Sequence, residues 1–173
     1  PQVSPDDGWD SPSATPATLR KSGTHASSQI RALLKTLFDE QRLAVLATHQ
    51  DGQPYATLVA FGADEDLATL YFATPRATRK FANLSADQRV ALLVNNSTNQ
   101  AEDIHRAMAA TATGRAFELE GSQRDAYQVR YIARHPHLEA FVRSPSCALI
   151  AVRVERYVLV HRFQTVLELR ITP

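Results

Sequence analysis

Residues 71 to 94 read YFATPRATRKFANLSADQRVALLV. The stretch joins an apolar strand, Ala68 to Ala73, to a second one, Arg89 to Asn95. Between them Pro75 is placed to open a short helix as its first residue, with Thr74 as the cap. Phe81 and Leu84 then face the core. The same turn is rich in chemistry. It carries three cations, Arg76, Arg79 and Lys80, and two hydroxyls, Thr74 and Thr78. A helix start already presents unpaired N–H groups and partial positive charge. Cations there oppose the macrodipole, so an anion is expected to compensate. Arg holds two phosphate oxygens at once and Lys acts as a point charge. The plain alternative is a solvated basic helix start; the charge conflict favours a phosphate site.

Upstream, Ile30, Leu33, Leu34, Leu37 and Phe38 recur with helical spacing, predicting a helix from Ser27 or Ser28 to about Gln41. Arg42 to His49 and Pro54 to Gly62 read as strands around a Gln50-Asp51-Gly52-Gln53 turn. Downstream, residues 96 to 106 are polar and read as a loop, and Ala107 to Leu119 as a strand. Gly121 to Ala133 reads as a helix, with a short one after Pro136. Ala148 to Glu155, Tyr157 to Phe163 and Val166 to Ile171 read as closing strands. Many short, hairpin-linked strands predict a mainly β protein with flanking helices, an antiparallel barrel of six to eight strands. Residues 1 to 26 are expected to form a flexible arm ahead of one domain, 27 to 173. The first 25 residues hold four of the nine prolines and lack apolar period. Trp9 is either an exposed residue of that arm or a plug that docks on a partner subunit.

Composition narrows the function. Nineteen Lys and Arg stand against 18 Asp and Glu, a net charge of +1. That is no field for wrapping nucleic acid. One cysteine, Cys147, excludes an internal disulfide framework and a Cys-cluster zinc site. Apolar runs fall far short of the ~20 residues that span a bilayer. A cytoplasmic protein with no membrane partner is expected.

Familiar motifs are missing: no GxGxxG, Walker A, HExxH or GxSxG occurs. His135 and His137 flank Pro136, but no third ligand lies near in sequence, so no metal site is assigned. His161, on a late strand, reads as a buried or interface histidine, with haem ligation or a flavin contact as the sharper option. No residue stands out as a general base, and catalytic residues stay unassigned.

The 71–94 segment resembles the flavin-binding split-barrel proteins related to pyridoxamine 5'-phosphate oxidase. The likeness lies in Thr74, Thr78-Arg79-Lys80, Asn83-Leu84 and the strand Arg89-Val90-Ala91-Leu92-Leu93. PYATLVAFG has the place and length of the family's flavin-edge strand, and RYIARHPHLEAF resembles its helix, proline and aromatic pattern; the likeness covers about residues 30 to 163. It implies FMN as cofactor, a homodimer that completes the site, and a small-molecule redox substrate. Thr57 would lie near the phosphate or ribityl chain. Val59 and Ala60 would offer backbone groups to the ring, Thr74 would close the site, and Arg79 and Lys80 would hold the 5'-phosphate. Relatives of this fold also use haem, for which His161 or His105 would be ligands to test, and deazaflavin is a further variant. A non-catalytic flavin sensor or carrier is the remaining rival.

The departures bear on substrate. The family's lysine at the end of the flavin-edge strand is Gly62 here. Its Tyr-x-x-x-Arg-Pro motif reads Tyr131 to His135-Pro136, with the arginine displaced to Arg134 or replaced. The C-terminal Arg-x-His pair has no match. Flavin chemistry without oxidation of vitamin B6 phosphates is the expectation.

Overall fold

The computed structural model describes residues 24–162 and 165–172. The elements are α1 (Thr24–Glu40), β1 (Leu43–Gln50), β2 (Gln53–Ala63), β3 (Thr69–Pro75), α2 (Arg79–Ala86), β4 (Arg89–Asn95), α3 (Asp103–Arg106) and β5 (Ala109–Glu118). Then come α4 (Gly121–Arg134), a 3-10 turn (Pro136–Leu138), α5 (Glu139–Arg143), β6 (Cys147–His161) and β7 (Thr165–Arg170). The sheet order is β3-β2-β1-β4-β5-β6-β7, all antiparallel, and β3 also pairs β6. Six strands therefore close a barrel, and β7 extends it from β6. The expected mainly β antiparallel barrel with flanking helices is the fold.

Alternation sorts the strands. Ala44, Leu46 and Thr48 of β1 point inward, as do Val90, Leu92 and Val94 of β4 and Ala110, Ala112 and Ala116 of β5. Helix α1 packs on β4 and β7 and buries Ile30, Leu34, Leu37 and Phe38 in the same core. Phe38 meets Phe61 edge-on at 5.6 Å. A second cluster forms between β3, the first half of β6 and helices α4 and α5, around Tyr71, Tyr131, Val142 and Leu149.

Several boundaries moved. Helix α1 starts at Thr24, so Ser27 and Ser28 lie within it. Thr74 does not cap α2. Pro75 is the last residue of β3, paired with Cys147, and Arg76 N–H still bonds Ser146 O at 2.9 Å. That ladder holds the chain extended past the proline, and Thr78 takes over as cap, accepting from Phe81 N–H at 3.4 Å. The two strands expected at 148–155 and 157–163 form one strand, β6. It survives a register shift opposite Thr113 and Gly114, where Glu155 is the extra residue. Gly114 is needed there, because a Cβ would lie 2.1 Å from Arg153 O. The β1–β2 turn places Asp51 and Gly52 at positive φ, 51° and 78°, the twist that a tight hairpin demands. Residues 24–26, expected at the end of the arm, belong to α1; the rest of the expected arm, with Trp9, lies outside the described residues.

Candidate active site

The barrel is split between β2 and β3. Their ladder has only three pairs, Phe61–Phe72, Gly62–Tyr71 and Ala63–Leu70. From Gln53 to Ala60, β2 pairs β1 alone. Phe61 N–H bonds Arg42 O at 3.3 Å, so its backbone groups face the β1 side. Antiparallel alternation then turns those of Thr57 and Val59 toward β1, and those of Leu58 and Ala60 toward the open edge. The side chain of Val59 packs in the barrel core, that of Ala60 against the second cluster, and Thr57 is half-buried on the inward side.

Helix α2 starts beside this edge. Thr74 is buried at the end of β3, its Oγ1 3.2 Å from Thr78 Oγ1. Thr78 donates to Pro75 O at 2.9 Å. The Arg79 guanidinium lies over the Tyr55 ring, 5.6 Å from its centre. Tyr55 is two residues from Thr57 on the same side of β2. Asn83, one turn further along α2, donates to Thr48 Oγ1 at 2.9 Å. Lys80 is half-buried, and loss of water pushes its pKa below that of an ordinary lysine. Neither Arg79 nor Lys80 has a carboxylate partner among the described residues. The third cation of the turn is spent elsewhere: Arg76 pairs with Glu118 and donates to Pro145 O and Cys147 O. The structure thus brings Thr57, Thr74, Arg79 and Lys80 to one end of the split, and sets Val59 and Ala60 further along β2. Sequence reading missed Tyr55, Leu58 and Thr48. Only their register partners mark them, and no local motif does.

The residues that the resemblance sets against the family's substrate contacts have other tasks. A Cβ on Gly62 would lie 2.3 Å from Cζ of Tyr71, whose ring crosses the glycine. Tyr71 is buried, packed at 5.1 Å on Tyr127, and burial first, then Asp64, raises its pKa. Arg134 donates from Nε to Phe61 O at 2.9 Å and from Nη2 to Phe38 O and to Gln41 O at 2.8 Å. It therefore closes the C-terminal end of α1, which has no basic residue of its own in its last turn. His135 is buried and its Nε2–H donates to the same Phe61 O at 2.9 Å, while burial lowers its pKa. Tyr131 is buried beside it. His161 ends β6, half-buried, its pKa lowered by burial and then by Arg162. Among the described residues no group of three potential metal-binding side chains occurs, and no helix is long and apolar enough to cross a membrane.

A closed six-strand barrel, split between β2 and β3 with a basic helix start at the split, defines a split-barrel protein. The family model described as pyridoxamine 5'-phosphate oxidase matches residues 29–161, and the chain belongs to this family. Solved structures agree on the fold. A heme binding protein from Mycobacterium smegmatis superposes with a TM-score of 0.72 at 17% identity, over 88% of this chain and 60% of that one. A putative pyridoxamine 5'-phosphate oxidase from Listeria innocua gives 0.60 at 16% identity, over 76% and 98%. An FAD-binding protein from Mesorhizobium loti gives 0.58 at 20% identity, over 74% and 90%. No curated protein sequence matches the chain.

Proposed function

We propose that this protein binds FMN at the split between β2 and β3, as a homodimer, and serves as a flavin-dependent oxidoreductase for a small molecule other than a vitamin B6 phosphate. One observation carries the reading: two cations, Arg79 and Lys80, stand at the start of α2 with no anionic partner among the described residues. A dianionic phosphate answers both, together with the helix end and the hydroxyls of Thr57 and Thr74. The open β2 edge offers the backbone groups of Ala60 and Leu58 to the polar rim of the isoalloxazine, with Val59 supporting the strand from the core. When bound, the flavin supplies hydride or electron transfer; the protein supplies position and electrostatics. Lys80 is suited to this task because its lost hydration is regained as contact with the anion.

What the barrel exposes supports the dimer. Outward residues of neighbouring strands line up as Leu58, Val45, Leu93, Thr111 and Val158, with Leu43 and Val160 in the next row. Leu58 is 61% exposed and Leu43 52%. A contiguous apolar sheet face of this kind marks an interface. A second copy is the occupant we assign, because the face begins at Leu58 and Ala60 and so runs directly into the open edge of the site.

Haem is the second reading, for which the half-buried imidazole of His161, at the end of β6, is the ligand to test. The deciding experiment is mass spectrometry of the small molecule released on denaturing the purified protein, with its visible spectrum beforehand. FMN with a flavin spectrum supports the proposal. Haem with a Soret band overturns it.

A further inference from the structure

Asn83 is buried, 2% exposed, and its Oδ1 has no hydrogen-bond partner among the described residues. Such a group costs stability, on the order of 1–3 kcal/mol for a buried unsatisfied acceptor, and calls for a reason. Its amide nitrogen is engaged, donating 2.9 Å to Thr48 Oγ1. Thr48 is itself buried, and its hydroxyl lies 3.5 Å from Tyr55 O, the residue directly opposite on β2. Arg79 precedes Asn83 by four residues, so both lie on one face of α2. That face grips the Thr48–Tyr55 pair twice: Asn83 on Thr48, and Arg79 over the Tyr55 ring. The polar grip is the directional one, since a ring contact tolerates sliding and a 2.9 Å hydrogen bond does not.

We infer that Asn83 is a positioning residue, a strut that sets the start of α2 against β2 and so fixes the distance between the phosphate-binding cations and the strand edge that reads the ring. The inference rests on the flavin reading above. Arg79 and Lys80 hold one end of the ligand, and Leu58 and Ala60 face the other. The two ends belong to different elements, α2 and β2. The Asn83–Thr48 bond ties α2 to β1, whose Thr48 hydroxyl reaches Tyr55 O of β2, and the Arg79–Tyr55 contact ties α2 to β2 directly. A misplacement of α2 leaves each half-site intact and spoils their spacing.

The test is Asn83→Leu, close in volume. Leucine removes the orphan acceptor and leaves Thr48 its own acceptor at Tyr55 O, so the fold without flavin should melt no lower than wild type. Riboflavin, read by the ring edge alone, should keep its dissociation constant within about twofold. FMN should weaken about tenfold, equivalent to one charge-assisted contact at the low end of its range. Thr48→Val should reproduce the FMN-selective loss from the other side, and Thr48→Ser, which keeps the hydroxyl, should restore it. Equal losses for FMN and riboflavin with a lowered melting temperature would assign Asn83 to the fold and overturn the inference. So would an unmoved FMN affinity in the folded variant. Should Asn83→Leu fail to fold, the Thr48→Val and Thr48→Ser pair decides on the same FMN-to-riboflavin ratio. A wild type that binds neither flavin removes the flavin reading itself, a result distinct from wild-type binding with an indifferent variant.

Discussion

Replacing both Arg79 and Lys80 by alanine removes the two cations at the start of α2. Each charge-assisted contact to a phosphate contributes ~1.5–3 kcal/mol. Arg79 is exposed, so water and salt screen it and the lower end applies. Lys80 is half-buried and stripped of part of its hydration, so it lies higher in the range. Together they give ~3 kcal/mol or more, a loss of at least ~100-fold in FMN affinity at ~1.4 kcal/mol per tenfold. Riboflavin has the same ring and ribityl chain without the phosphate, and its affinity should hardly change. Fluorescence titration with both ligands separates the phosphate contribution from any general damage. The wild-type preference should also fade as pH rises. Burial lowers the Lys80 pKa, so its charge is lost at a lower pH than that of an exposed lysine, and FMN then binds less tightly. A Lys80→Ala variant should lack this alkaline decline. An unchanged FMN dissociation constant in the double variant would refute the phosphate site, and an equal loss for riboflavin would show that the substitutions act through the fold.

Sedimentation should find twice the 19.1 kDa chain mass at micromolar concentration, across an interface of more than ~2,000 Å². Leu58→Glu with Leu93→Glu should yield monomer, because each puts a charge into the apolar rows; a monomeric wild type would contradict the dimer. Oxidation of pyridoxamine 5'-phosphate, followed as oxygen uptake at saturating FMN, should stay well below ~10⁴ M⁻¹s⁻¹. Gly62→Lys should not restore it, since Tyr71 occupies the path of the new side chain; efficient turnover would show a substrate clamp elsewhere. Acid should destabilise the protein through His135. Its folded pKa is lowered, so as pH falls through ~6.5 the unfolded chain takes up a proton that the native state refuses, and stability drops until the folded pKa is passed. His135→Gln, which keeps an N–H donor for Phe61 O, should flatten that part of the melting-temperature profile; an identical slope would place the titration elsewhere, His161 being the next group with the same sign.

Some of this was legible in the residues alone. The i, i+3, i+4 stripe from Ile30 to Phe38 determined α1, because one apolar face suffices to place a helix on a core. Asp51-Gly52 determined the first hairpin, because few residues tolerate positive φ. The run Thr74 to Lys80 marked a basic turn into a helix, since like charges at the positive end of a helix need an anion, though the helix starts at Arg79 and not at Pro75. What the tertiary structure decided were relations between distant segments. Thr74 looked like a cap, but its place in the β3–β6 ladder with Ala148 kept it in a strand. Arg76 belonged by sequence to the basic cluster, and only the arrival of Glu118 took it away. Arg134 and His135 stand at the position of the family's substrate motif as the resemblance sets it, and both turn inward onto backbone carbonyls of α1, the α1–β1 link and β2. Gly62 carries no sign of Tyr71 in its neighbours, because the ring comes from the next strand. A sequence records periods and turn chemistry, which act over a few residues; which donor finds which acceptor is set by register and packing between segments far apart along the chain.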